Sequence, residues 1–213
     1  MSASTGAPSG PSWLDTRISR RRLVAFSGLI GIGAFLGYRL LGGFGGFRIN
    51  TVEPKNPAFD PASYRLVVDG MVDSPISLTY DQLLALPSVR QVSDFHCVEG
   101  WGVKDVRWEG VRLQTILDAV HPKPEAAFIT FHSLDGFYAD SLSLGQASLP
   151  DALVAYRMYE QPLPPEHGYP LRFIMPKMYG YKGAKYLYRM EFVSTQVVGY
   201  WEQRGWQMNA WLA

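Results

Sequence analysis

Two short stretches of this chain hold most of the side chains that could do chemistry. The first is Phe95-His96-Cys97-Val98-Glu99-Gly100-Trp101, where an alternating run gives way to a glycine-containing turn. Cys97 is the only cysteine, so the chain forms no intramolecular disulfide and no zinc site built from several thiolates. A lone thiol at a strand end can be a small hydrophobe, a nucleophile or a ligand for a soft metal, and residue type alone leaves all three open. His96 should leave the strand on the face opposite Cys97, because successive side chains alternate. Glu99 could orient neighbouring donors or act as an acid.

The second stretch runs from His167-Gly168-Tyr169-Pro170-Leu171-Arg172 to Tyr179-Gly180-Tyr181-Lys182-Gly183-Ala184-Lys185. Arg172, Lys177, Lys182 and Lys185 bring four cations into 14 residues, interleaved with aromatics and with glycines that let a backbone approach a ligand. An arginine fork and lysine point charges suit a phosphate, while a solvated basic loop is the plain alternative. The net charge is only +1, which argues against nucleic acid as a partner.

These groups need elements to carry them, and the patterning gives an α+β fold with a mixed sheet and short helices. Tyr64 to Val68 reads as a strand closed by Asp69-Gly70, and Val89 to Phe95 as the strand that delivers Cys97. Thr79-Tyr80-Asp81-Gln82 is a capping box opening a short helix through Leu86, stopped by Pro87. Leu113 to Val120 is helical; Ala127 to Phe131, Leu171 to Met175 and Lys185 to Val193 are strands. His132 stands beside one of these strands, and His121-Pro122 marks a surface turn. Trp101 and Trp108 read as core residues, and nothing fixes where Tyr200, Trp201, Trp206 and Trp211 pack. A hydrophobic content of 47% is enough to give one domain a core.

Ahead of this domain, residues 1–18 read as a disordered lead-in and 19–41 as a targeting segment, followed by a linker over 42–55 and the domain over 56–213. Ser19-Arg20-Arg21-Arg22-Leu23-Val24 resembles a twin-arginine export signal, and the apolar run from Leu23 to Leu41 can just span a bilayer as an uncleaved helix. A removed signal and a buried core helix are the alternatives. The basic cluster places the domain outside the cytoplasmic membrane.

Taken together, Cys-Val-Glu-Gly-Trp, then His-Gly-Tyr-Pro-Leu-Arg, then Tyr-Gly-Tyr-Lys-Gly-Ala-Lys resemble the molybdopterin-binding domain of the sulfite oxidase family. The likeness is to its small bacterial branch, which includes the catalytic subunit of a periplasmic methionine sulfoxide reductase. The resemblance implies one molybdopterin without a nucleotide extension, with Cys97 as the protein's ligand to molybdenum and the catalytic centre. It assigns Ser133, His167, Arg172, Gly183, Ala184 and Lys185 to the cofactor. It further implies an enzyme that transfers an oxygen atom to or from a small sulfur- or nitrogen-oxide substrate. A membrane haem protein or soluble cytochrome would exchange the electrons, since this chain has no haem or iron–sulfur motif. A membrane-anchored binding module with the same fold, or a Cys97-dependent hydrolase, are the other readings. Two family features find no match: an asparagine-rich cofactor stretch before the cysteine, for which Asn56 is the nearest candidate, and an upstream active-site arginine.

Overall fold

The computed structural model describes residues 46–212. The expected N-terminal helix over 19–41 lies outside them, and among the described residues no helix is long and apolar enough to cross a membrane.

Two five-stranded sheets make the domain. The first has the order β2 (Ile76–Thr79), β1 (Arg65–Gly70), β10 (Leu187–Val193), β5 (Phe128–Ser133) and β6 (Ala139–Ser143). It is mixed, because β1 and β10 run parallel while the other pairs are antiparallel. The second joins β3 (Ser88–His96), β4 (Gly102–Arg112), β7 (Leu153–Met158) and β8 (Gln161–Pro162), with β9 (Arg172–Ile174) pairing to β7.

Burial follows the pleat: Leu66 and Val68 of β1, and Met190 and Phe192 of β10, are closed to solvent while the residues between them are not. They share one core with Val111, Val154 and Phe173 of the second sheet. Phe131 and Phe173 stack across the two sheets with centroids 4.1 Å apart.

Short helices close the corners. Helix α1 (Tyr80–Leu84) starts at the expected capping box, with Gln82 N–H donating to the Thr79 side chain. It stops before Leu86, in a turn rather than at the proline. Helix α2 (Leu113–Val120) buries Leu113, Ile116, Leu117 and Val120, the spacing of a single apolar stripe. His121 ends it in the left-handed conformation at φ 52°. Helix α3 (Leu144–Ala147) has a second capping box at Ser143 and Gln146.

Candidate functional site

Strand β3 ends in a turn in which Cys97 N–H donates to the Trp101 carbonyl at 2.8 Å and Gly100 N–H to the Cys97 carbonyl at 3.1 Å. Alternation then sends Phe95 and Cys97 into one cavity with an empty volume of about 930 Å³, counting its open mouth, and keeps His96 out of its lining. His132 is likewise elsewhere, 3.0 Å from Glu191 on the far side of β5. Trp108 is core at 2% exposure, but Trp101, expected there too, lines the cavity.

Around the thiol, Glu99 accepts hydrogen bonds from Trp101 Nε1 (3.0 Å) and Asn50 Nδ2 (3.1 Å), which hold its carboxyl below the usual range. Its nearer oxygen is 3.8 Å from Cys97 Sγ. Partial burial pushes the Cys97 thiol up, and the Glu99 carboxylate adds to this against the lowering effect of the Glu99 backbone N–H. That is the opposite of what an unassisted nucleophile needs, and a metal bound here would have to displace the thiol proton.

Part of the same lining is cationic. Arg172, the first residue of β9, is 6% exposed, and among the described residues its Nε has no hydrogen-bond partner. One of its terminal nitrogens reaches the His167 carbonyl at a long 3.4 Å, and its guanidinium lies 5.1 Å from the centre of the Phe95 ring. Burial lowers it to about 10, which leaves it charged at neutral pH. Lys185 donates to the carbonyls of Asn50 (2.9 Å) and Glu166 (3.1 Å). Burial first, then the Arg172 charge, brings it down to about 8. His167, 3% exposed on the turn Pro165–His167, is pushed down to about 3 by burial and then by Arg172 and Lys185, so its imidazole is neutral.

The loop between these groups needs bare backbone. A Cβ on Gly180 would lie 2.2 Å from the Phe95 ring, and one on Gly183 would lie 2.7 Å from the Phe173 carbonyl and 3.7 Å from the unpartnered Arg172 Nε. Ser133 fixes the loop, donating to the Lys185 carbonyl at 2.6 Å. Six of the seven expected residues therefore meet at one cavity: Cys97, Ser133, His167, Arg172, Gly183 and Lys185. The Ala184 side chain is fully buried in the core instead, and its carbonyl receives Phe173 N–H at 2.9 Å.

Two of the four clustered cations do not take part. Lys177 is a surface residue 3.9 Å from Asp151. Lys182 is 1% exposed and turned inward, bonded to Asp140 at 2.8 Å and to Glu202.

Sequence reading missed a wall on each side. Phe47 to Glu53, placed in the linker, line the cavity, and Phe47 packs edge-on against His167 at 4.9 Å. Arg48 and Asn50 stand there, whereas Asn56 is outside it, accepting from the Tyr186 hydroxyl at 2.8 Å. Trp201 and Trp206 form part of the other side. The pairing of aromatic Phe47 with Asn50 just after the glycine run was the available signal for the first wall.

A desolvated guanidinium with an unpartnered Nε, a second cation beside it and a tight glycine loop call for an anionic ligand. The thiol in the same cavity calls for a soft metal. A group that is both phosphate-bearing and metal-bearing fits this donor set.

Comparison with known proteins agrees with that chemistry. The model of the oxidoreductase molybdopterin-binding domain matches residues 53–201. The chain is 36% identical over 150 residues to the uncharacterized oxidoreductase YuiH of Bacillus subtilis, covering 70% of this chain and 75% of that one. It is 31% identical over 156 residues to the protein-methionine-sulfoxide reductase catalytic subunit MsrP of Ralstonia nicotianae, covering 66% of this chain. That match takes in 47% of the relative, so this chain spans about half the length of the sulfoxide reductase. Among solved structures, the sulfane dehydrogenase SoxCD of Paracoccus pantotrophus shares the fold at a TM-score of 0.61 and 21% identity, over 67% of this chain and 41% of that one.

Proposed function

Because this chain belongs to the oxidoreductase molybdopterin-binding domain family, we propose that its cavity holds one molybdopterin without a nucleotide extension and that Cys97 is the protein's ligand to the molybdenum. The observation that carries this reading is a soft thiol sharing one cavity with two desolvated cations that, among the described residues, have no carboxylate hydrogen-bonded to them. Arg172 and Lys185 would hold the phosphate through charge-assisted bonds. Neutral His167 would add an imidazole hydrogen bond, and Gly183 and Ala184 backbone contacts. Ser133 holds the Lys185 carbonyl and so fixes the loop. Glu99 anchors Trp101 and Asn50 beside the thiol, and Phe47 packs edge-on against Trp101 in the same lining.

When bound, the cofactor supplies two-electron oxygen-atom transfer, while the protein orients it and tunes its surroundings. The substrate is a small sulfur- or nitrogen-oxide, or its reduced partner. The name of the Ralstonia relative, a protein-methionine-sulfoxide reductase, supports a sulfoxide. Electrons come from a membrane haem protein or a cytochrome. The domain works outside the cytoplasmic membrane, carried there folded by the twin-arginine-like segment 19–41, which then remains as an anchor.

Metal and pterin analysis of protein made in a cofactor-producing host tests the reading. About one molybdenum and one pterin per chain are expected, the pterin released without a nucleotide. Protein filled with zinc, or free of both molybdenum and pterin, would refute it.

A further inference from the structure

Beyond the last residue matched by the family model, Trp201, the chain continues as a strap that contributes Trp206 to the cavity lining. Its path is fixed at several points. Tyr179 N–H donates to the Ala210 carbonyl at 3.0 Å, Leu212 N–H to the Lys177 carbonyl at 3.0 Å, and the Tyr181 hydroxyl to the Gln207 carbonyl at 2.6 Å. Inside the fold, Glu202 is held by Lys182 and by Gly199 N–H at 2.7 Å. The strap is thus tied to the cofactor loop along much of its length.

What it presents to the cavity is aromatic and uncharged. Trp206, still 39% exposed, stacks on Tyr181 with centroids 6.5 Å apart, and Tyr181 on Tyr179 at 6.4 Å. The strap's charges are engaged elsewhere: Glu202 faces inward to Lys182, and Arg204 lies 3.5 Å over the Tyr200 ring and donates to the Tyr200 carbonyl. A half-exposed indole on a braced aromatic stack offers a face for a second flat apolar group or a sulfur atom. It offers nothing to a compact oxyanion.

We propose that this strap is the substrate-selecting wall of the cavity and that Trp206 is a specificity-determining residue, favouring sulfoxides that carry a flat apolar substituent. The inference rests on the oxygen-atom transfer proposed above. In that reaction the sulfur–oxygen bond breaks, the sulfoxide takes up two electrons and two protons, and sulfide and water leave. Two molecules of reduced methyl viologen supply the electrons in the assay.

The full cofactor-loaded chain is compared with its Trp206→Ala and Trp206→Phe variants, using methyl p-tolyl sulfoxide and dimethyl sulfoxide. The wild type should prefer the aryl sulfoxide in kcat/KM. Trp206→Ala should reduce that preference about tenfold, mainly through KM, as expected for loss of one aromatic contact that binds ground and transition states alike. Trp206→Phe should keep it within about threefold. Equilibrium dialysis of methyl p-tolyl sulfide, the product, should show the same ranking without turnover. An unchanged preference in molybdenum- and pterin-loaded Trp206→Ala overturns the proposal. So does loss of pterin in that variant, which would make Trp206 a wall for the cofactor instead. A loaded wild type that reduces neither sulfoxide refutes the underlying reaction itself.

Discussion

Replacing Lys182 by methionine should destabilise the domain more than removing any cation in the cavity. The ammonium is 1% exposed and the side chains of both its carboxylate partners, Asp140 and Glu202, are fully buried. Methionine keeps most of the volume and leaves two carboxyl groups facing each other without a counter-charge. Breaking a buried pair in this way costs about 3–5 kcal/mol. At about 2–4 °C per kcal/mol for a domain of this size, melting should fall by roughly 6–20 °C. The deficit should also depend on pH. Burial has already pushed Asp140 up to about 6. A carboxyl raised above its unfolded value contributes stability at low pH that is lost as pH rises through the folded value. The orphaned pair in Lys182→Met should therefore be tolerated better at pH 5 than at pH 7.5. Circular-dichroism melts of the cofactor-free protein at both pH values measure this. A deficit below about 1 kcal/mol would refute the assignment of Lys182 as the counter-charge that holds the strap. So would a deficit of equal size at the two pH values.

Cys97→Ser should abolish turnover and molybdenum retention while leaving the melting curve of cofactor-free protein nearly unchanged, because a hard hydroxyl is a poor substitute for a thiolate; activity within about tenfold of wild type would exclude Cys97 as ligand. Arg172→Ala with Lys185→Ala should empty the protein of pterin, since each lost bond to a charged group costs about 1.5–3 kcal/mol; pterin analysis after gel filtration reads this. Lys185, lowered to about 8, gives the pH sign for phosphate binding. Between pH 8 and its unfolded value, phosphate recharges the amine by proton uptake, so affinity for phosphate should fall as pH rises, while the stability of cofactor-free protein from this group rises. Arg20→Lys with Arg21→Lys keeps the charge but removes guanidinium geometry, so folded, loaded protein should accumulate in the cytoplasm; fractionation that shows normal export would refute the twin-arginine route.

What could be read from the sequence was whatever depends on near neighbours. The capping box at Thr79, the apolar stripe of Leu113–Val120 and the alternation around Cys97 need only a few adjacent residues, and all three appear in the structure. Strands β4 and β7 escaped. One mixes charges and glycines with its apolar positions, and the other is buried almost throughout and shows no period. Lys182 was grouped with the cavity cations because a basic run does not reveal that its partners lie 42 and 20 positions away. The walls from Phe47 to Glu53 and from Trp201 to Trp206 were missed for the same reason: each has its role only against residues distant in the chain.

The parallel pairing of β1 with β10 bears on when the site can exist at all. It joins Val67 to Arg189, and the nearby Lys185–Asn50 bond spans 135 positions. A growing chain on the ribosome therefore has no assembled cationic lining until β10 has emerged, and no aromatic rim until Trp206 has followed. Insertion of a ligand must come after synthesis of nearly the whole domain. A truncation that stops before β10 should yield not a weaker binder but a chain with no pocket to fill.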